Sequence, residues 1–276
     1  MEALRDDLAS RNAPLEYWFI KLHAGDLAFL VDYIIRRASG RAEVRVSLWT
    51  GGQGRVARTY GEGRSSGADV FIGDDRFSPG RCTGSGPDVS WDLNYSSGPG
   101  RAAPRVPLLD GAFDMSLVSR PRTEFNGFVV VDGVRHDVVA APGSVTHYWG
   151  RRLPERWHWI SANGFAGTDL AIECVLLRTR VWGRRPLLNA GYLWLSRDGR
   201  DRLLVSPLTG LITVAGQRTD YTLTARGPRS TTRLRCWAPP EAYNDLGEGI
   251  RQTLVGRCAV LGTDDIDPRA GLEYRA

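Results

Sequence analysis

Short strand candidates separated by glycine-rich turns dominate the sequence. Between Gly51 and Gly100 the segments RVARTY, ADVFIG and DVSWDLNY alternate with the turns GGQG, GEGRSSG, SPGRCTGSGP and SSGPG. Strands and turns that recur about every 8 to 12 residues, without helical periodicity, are typical of antiparallel β structure. The chain is therefore expected to be all-β, built as a barrel or a sandwich.

The strand series occurs twice, which indicates two domains in a chain of 276 residues. The first series begins with EYWFIKL and DLAFLVDYIIRR, and a proline-containing connection ends it over residues 101–125. The second series begins with NGFVVVDGVRHDVVAA, where Asp132-Gly133 predicts a hairpin turn. We predict an N-terminal tail over residues 1–15, one β domain over residues 16–125 and another over residues 126–276.

Charge and composition exclude several classes of function. The net charge is +5, but Lys21 is the only lysine and the arginines form no basic run, so a nucleic-acid partner is not expected. The N-terminus lacks the basic start and apolar core of a signal peptide, and no apolar run approaches the ~18 residues of a membrane span. A cytoplasmic protein without integral membrane contact is predicted, and its oligomeric state is left open.

No motif in the chain indicates a metal or a cofactor. The four histidines form no H-x-H or H-x-x-x-H pair, and the four cysteines are far apart, as reduced buried thiols would be. The G-x-S-x-G match at Gly63–Gly67 lacks the strand and helix of a nucleophile elbow, and the G-x-G-x-x-A match at residues 52–57 lacks the helix of a dinucleotide site. No metal and no cofactor is therefore predicted, and the partner that the sequence predicts is a hydrophobic small molecule.

One aromatic strand suggests where that molecule binds. With period 2, a single strand face in RWHWISANGF carries Trp157, Trp159, Ser161, Asn163 and Phe165. Aromatic rings with a few polar groups suit a pocket for an apolar molecule. The alternative is that the tryptophans fill a barrel interior and Asn163 bonds to backbone. His158 has the opposite parity and is expected to point away from this face.

Isolated acids within apolar strands are the candidate proton donors. A carboxyl group surrounded by apolar side chains tends to keep its proton, as a general acid must. Glu16, Asp92, Glu124 and Glu173 fit this description, and Glu173 fits best because its neighbours are apolar or thiol. For each acid the alternative is an outward side chain on the solvated face of its strand. His147 is a further proton carrier.

Four segments together resemble a known superfamily. EYWFIKL with AFLVDYIIRR, DVSWDLNY, NGFVVVDGVRHDVVAAPGSVTHYWG and RLPERWHWISANGF are similar to the lipocalin-like superfamily of tocopherol cyclase, carotenoid 1,2-hydratases (hydroxyneurosporene synthases) and lipocalin-like Diels-Alderases. The order W-G, L-P, W-x-W, N-x-F most resembles the tocopherol cyclase branch, although His147-Tyr148 stands where that branch favours an acidic residue. The resemblance implies two stacked, antiparallel, lipocalin-like (calycin-like) β domains with a ligand cavity.

The resemblance and the residues together predict an enzyme that cyclises, isomerises or hydrates a hydrophobic polyene, prenylated or polyketide-type metabolite. The proton would come from Glu173, Asp92, Glu124 or His147. The substrate would be bound by aromatic and amide side chains, namely Trp18, Trp91, Tyr148, Trp149, Trp157, Trp159, Asn163 and Phe165. A pericyclic reaction would need no acid. A non-catalytic carrier of the same ligand and a purely structural interaction protein are the other hypotheses.

Overall fold

The computed structural model describes residues 2–98, 100–102, 114–181 and 184–275, and leaves the side chains of residues 181 and 184–188 undescribed. These residues form two compact units that divide between Leu153 and Pro154, apart from two short segments. In each unit an antiparallel sheet curls into a nearly closed barrel, which confirms the prediction of an all-β chain with two domains and decides for barrels over sandwiches.

The first unit combines one short helix with the first described sheet. Its elements are α1 (Glu2–Leu8), β1 (Leu15–Ala24), β2 (Leu27–Arg36), β3 (Arg41–Thr50), β4 (Gln53–Gly61), β5 (Gly63–Ser66), β6 (Asp69–Ile72), β7 (Asp75–Ser78), β8 (Arg81–Gly86), β9 (Val89–Ser97), β10 (Met115–Val131) and β11 (Val134–Gly150). The strands are hydrogen-bonded in the order β4-β3-β2-β1-β11-β10-β9-β8-β7-β6-β5. Strands adjacent in sequence therefore pair with one another, except β4 and β5, which stand at the two ends of this order, and β1 also pairs with the distant β11.

Apolar side chains at alternate positions of the strands fill the interior of this barrel. In β1 the side chains of Trp18, Ile20 and Leu22 belong to the interior cluster, which also holds Phe29 of β2 and Trp91 of β9. Leu4 and Leu8 add the apolar side of α1 to the same cluster. The N-terminal segment, predicted as a tail, is thus packed onto the barrel. No described helix has the length and apolarity that crossing a membrane would require.

The second unit consists of the remaining strands. They are β12 (Arg156–Ala162), β13 (Ala171–Val181), β14 (Arg184–Arg197), β15 (Arg200–Ser206), β16 (Leu211–Gln217), β17 (Asp220–Arg226), β18 (Thr231–Trp237), β19 (Asn244–Gly247), β20 (Ile250–Val260) and β21 (Ile266–Arg275). The sheet runs β15-β14-β13-β12-β21-β20-β18-β17-β16, and β19 pairs with β20. Its interior cluster includes Ile160, Cys174, Leu193, Leu234 and Leu272.

The domain boundary lies later than the sequence analysis placed it. The predicted boundary at residues 125 and 126 falls inside β10, which pairs with β9 on one side and β11 on the other. The hairpin at Asp132-Gly133 forms as predicted, with both residues at positive φ. It closes the first barrel, however, because β11 returns to pair with β1.

Candidate functional site

The predicted aromatic face lies on the outer side of the second barrel. In β12 the side chains of Trp157, Trp159 and Ser161 have the opposite parity from Ile160, which belongs to the interior cluster. The alternative interpretation, in which the indoles fill the barrel interior, is therefore wrong. They are nevertheless buried, and Trp159 is only 3% exposed.

Glu173 lies on this same face of the sheet. Its β13 position is opposite Ser161 of β12 and Trp194 of β14. The side chain is completely buried, and its Oε1 accepts a hydrogen bond of 2.6 Å from the hydroxyl of Tyr192. Trp194 Nε1 is also buried, and it has no hydrogen-bond partner among the described residues. A carboxyl group thus lies opposite one indole in the register, and one phenol donates a hydrogen bond to it.

A second carboxyl group extends the face on the other side of Trp159. Glu273 of β21 is opposite Trp159 in the register. Its Oε1 accepts a hydrogen bond of 2.7 Å from Trp157 Nε1, and its Oε2 accepts one of 2.6 Å from Gln252 Nε2. Because both oxygens already accept hydrogen bonds from neutral donors, Glu273 positions these side chains as an acceptor.

Sequence reasoning missed Tyr192, Trp194, Gln252 and Glu273. Tyr192 and Trp194 share one parity in GYLWLS, so alternation could have placed them together on a face. Alternation could not have placed that face beside Glu173, because it does not give the register in which β13 pairs with β14. We call the group Trp157, Trp159, Ser161, Glu173, Tyr192, Trp194, Gln252 and Glu273 the indole–carboxyl face.

Two residues predicted to extend this face behave differently. Since β12 ends at Ala162, period-2 alternation does not continue beyond it, and Phe165 packs into the interior cluster instead. Asn163 is partly buried just after the strand end. His158 points away from the face, as predicted, and its ring meets the edge of Tyr221 at 5.0 Å between centroids. Burial lowers the pKa of His158 to about 4.

In the first unit, His147 is held in a buried network with Glu16. The Nε2 atom of His147 lies 3.1 Å from Glu16 Oε2, and its Nδ1 lies 3.2 Å from the carbonyl oxygen of Asp7. The ring stacks on Trp18 at 4.6 Å and meets Trp149 at 4.9 Å. Trp18 Nε1 donates to the carbonyl of Leu8. The network therefore fastens the N-terminal segment to β1 and β11.

The protonation equilibria of this pair follow from its burial. Desolvation lowers the pKa of His147, and the hydrogen bond and charge of Glu16 oppose that shift without cancelling it. Desolvation alone would raise the pKa of Glu16, but hydrogen bonds from His147 and the backbone of Arg11 and Ala13 outweigh it and lower the value. Glu16 also accepts a hydrogen bond from Ser10 Oγ and forms an ion pair with the guanidinium of Arg37, each at 3.1 Å. So many donors around one carboxylate indicate a structural anchor.

The other two predicted acids lie at the surface of the first unit. Asp92 forms an ion pair of 2.8 Å with Arg81, and Glu124 is exposed and accepts a hydrogen bond from Asn126. Their apolar neighbours in the sequence, Trp91, Leu93 and Phe125, belong to the interior cluster on the opposite face of each strand. Neither residue has the buried surroundings that the proton-donor hypothesis requires.

The remaining predicted ligand-binding aromatics also lie in the first unit. Trp18 and Trp91 are part of the barrel interior, and Trp91 Nε1 donates to the hydroxyl of Tyr33 at 3.0 Å. Trp149 contacts His147 and receives the guanidinium of Arg11 over its ring at 5.3 Å. Tyr148 stacks on Phe19 at 5.7 Å, on the outer face of the sheet. These rings therefore do not form a single pocket.

The outer face of the first sheet carries buried polar groups that the sequence did not reveal. Asp32 and Arg45 pair across β2 and β3 at 2.7 Å, and burial raises the pKa of Asp32 although Arg45 opposes the shift. The same face holds further buried polar side chains, namely Lys21, His23, Ser47, Ser119, Ser144 and Thr146. The hydroxyls of Ser47 and Ser144 have no hydrogen-bond partner within the described part of the chain.

Metal-ligand geometry is absent from the described residues. No three His, Cys, Asp or Glu side chains converge there as metal ligands would. A buried acid lies with aromatic side chains both in the Glu16–His147 network and in the indole–carboxyl face, but in the network several donors already hold the carboxylate of Glu16.

No protein-family model and no curated protein sequence matches the chain. Solved structures do. A candidate AttH from Nitrosomonas europaea is 14% identical, with a TM-score of 0.68, over 98% of this chain and 94% of that one. Kievitone hydratase from Nectria haematococca is 12% identical, with a TM-score of 0.69, over 98% and 91%. CghA is 12% identical, with a TM-score of 0.60, over 98% and 96%. The predicted lipocalin-like fold is thereby confirmed.

Proposed function

We propose that the chain is an enzyme that hydrates, cyclises or isomerises a hydrophobic unsaturated small molecule, and that Glu173 transfers the proton. The observation that carries this proposal is the complete burial of Glu173 on a sheet face with Trp159 and Trp194. Tyr192 donates to the same carboxyl group. The likeness to kievitone hydratase supports a hydratase-type reaction on this fold, although fold alone does not assign chemistry.

The proposed reaction begins when protonated Glu173 gives its proton to a carbon–carbon double bond. The bond's electron pair forms the new C–H bond and leaves a carbocation, which the negative faces of the nearby indoles stabilise by about 0.5 to 2 kcal/mol each. The hydroxyl of Tyr192 then stabilises the carboxylate by donating to it. Addition of water or of a substrate hydroxyl quenches the cation, and the Glu173 carboxylate takes up the released proton.

A non-catalytic carrier is the second candidate, because the second unit also has a pocket with an apolar part. The pocket has a volume of about 340 Å³, and its lining combines Leu193, Leu195, Leu203 and Leu204 with polar side chains that include Arg202 and Arg229. Ligand pockets of this kind hold small apolar molecules without any need for an acid. The carrier hypothesis therefore predicts binding that is indifferent to substitution of Glu173.

The test is incubation of the purified protein with a panel of polyenes and prenylated quinols, followed by native mass spectrometry and product chromatography. Glu173→Gln keeps the shape of the side chain and removes its exchangeable acid proton. We expect the rate of product formation to fall about 10²- to 10⁴-fold while ligand binding persists. Tyr192→Phe, which removes the donor to the carboxylate, is expected to lower the rate less.

Two matched carboxylates serve as controls. Asp92→Asn and Glu124→Gln make the same chemical change at the surface of the first unit, and neither is expected to alter turnover. Full activity in Glu173→Gln would reject the acid role and favour a pericyclic reaction. Ligands that bind and are recovered unchanged from every variant would favour the carrier.

A further inference from the structure

A concave site in the first unit is lined by four arginines. It has a volume of about 400 Å³, and we call it the arginine cavity. Its lining consists of Asn12, Ile35, Arg36, Arg37, Gly40, Arg41, Ala42, Gly63, Arg64 and Ser65. Gly63 lets β5 approach β3 closely, since a Cβ atom there would lie 2.4 Å from the Cβ of Ala42. The apolar floor of the cavity depends on that approach.

The arginine cavity has an excess of positive charge. None of its described lining residues is Asp or Glu, and Arg37 forms an ion pair of 3.1 Å with buried Glu16. Arg37 is also fixed by hydrogen bonds to the hydroxyls of Ser10 and Ser65. Its guanidinium is thus held in position before any ligand arrives.

Two of the arginines have no acidic partner. Arg41 and Arg64 are exposed, and neither forms an ion pair in the described part of the chain. Arg64 lies over the ring of Phe71 at 5.0 Å, which restrains its side chain without neutralising it. Like charges that share a concave site repel one another, and a bound anion would relieve this repulsion.

We propose that the arginine cavity binds the phosphate or diphosphate group of a small molecule. Guanidinium groups present parallel N–H donors that match phosphate oxygens in bidentate geometry, and several of them can share one multivalent anion. The concave shape favours a small molecule over a nucleic-acid strand, which would need an extended basic groove. This site is separate from the indole–carboxyl face and does not depend on the function proposed for that face.

The experiment is isothermal titration of the full chain with pyrophosphate at constant ionic strength. The test variant is Arg41→Ala/Arg64→Ala, which removes two exposed side chains that make no ion pairs. Arg218→Ala/Arg233→Ala removes the same charge from two exposed positions in the second unit and serves as the control. We expect saturable binding by the wild type and the control, and at least tenfold weaker binding by the test variant.

A second arm distinguishes the source of the phosphate. Vesicles that contain phosphatidic acid are sedimented with each protein. Cosedimentation that requires Arg41 and Arg64 would identify a lipid head group, and binding of pyrophosphate alone would identify a soluble ligand. Absence of saturable binding to both probes, or equal weakening in the control variant, would overturn the proposal.

Discussion

A single histidine in the second barrel makes the stability of the protein depend on pH. Burial lowers the pKa of His158 to about 4, whereas an unfolded chain has the ordinary value near 6.5. As the pH falls, the unfolded chain therefore takes up its proton first. Stability that is fully present above about pH 6.5 is lost progressively down to about pH 4, and about 2 kcal/mol of this loss is expected by pH 5.

His158→Asn should remove this part of the pH dependence. The measurement is the free energy of unfolding in urea at pH 7.5 and pH 5. We expect the difference between the two pH values to be about 2 kcal/mol smaller in the variant than in the wild type. His136→Asn, on the β10–β11 hairpin, is the control. An unchanged pH dependence in His158→Asn would show that the ring is hydrated in solution.

At the residue scale, period-2 alternation predicted well to which face of a strand a side chain points, and predicted poorly whether that side chain is buried. It correctly placed Trp157 and Trp159 on one face and His158 on the other. It failed at Phe165, since the strand ends first. The apolar and thiol neighbours of Glu173 ranked it above Asp92 and Glu124, but alternation did not show which of the three acids is buried. Only tertiary packing decides whether the second face of a strand is covered.

At the scale of elements, the N-terminal segment depends on one buried carboxylate. Glu16 accepts hydrogen bonds from the backbone of Arg11 and Ala13, and it pairs with Arg37 and His147. Glu16→Gln removes the charge that compensates these groups while it keeps the volume of the side chain. Because breaking a buried pair leaves its partner uncompensated, we expect a loss of about 3 to 5 kcal/mol in the free energy of unfolding.

Urea unfolding of Glu16→Gln, followed by the summed fluorescence of the nine tryptophans, measures this loss. The exposed Glu124 provides the matched control, because Glu124→Gln should change stability by no more than about 0.5 kcal/mol. Equal effects of the two substitutions would show that the Glu16 network contributes no more than a surface carboxylate.

Turn chemistry explains which elements could be predicted. Asp132-Gly133 forms the predicted hairpin turn, and Asp198-Gly199 forms another, with positive φ at each residue as Asp-Gly turns of type I′ require. The length of β10 and β11 was not predictable in this way. Their pairing with β9 and β1 is set by contacts between distant segments, so a local signal at the hairpin was mistaken for the start of a domain.

At the scale of the molecule, the repeated strand-and-turn pattern predicted two β domains, each a barrel or a sandwich. It did not reveal that the outer face of each sheet contains buried polar side chains. Alternation assigns one face of a strand to the interior and leaves the other to solvent, and Ser161, Glu173, Lys21 and Asp32 occupy that other face. Burial on both faces of a strand depends on the tertiary structure, so the local sequence pattern could not show it.

Lys21 provides a probe of this assembled state, because it is the only lysine and its side chain is completely buried. An amine-reactive reagent should therefore leave Lys21 unmodified in native buffer and modify it only when the first unit unfolds. Peptide mass spectrometry across a urea series gives the modified fraction at this one position.

The buried thiol of Cys82 lies in the same unit and should react with a thiol reagent over the same urea range. Modification of Lys21 in native buffer at the rate of an exposed amine would contradict its burial, whereas protection until Cys82 reacts would show that both faces of the first sheet are opened by one transition.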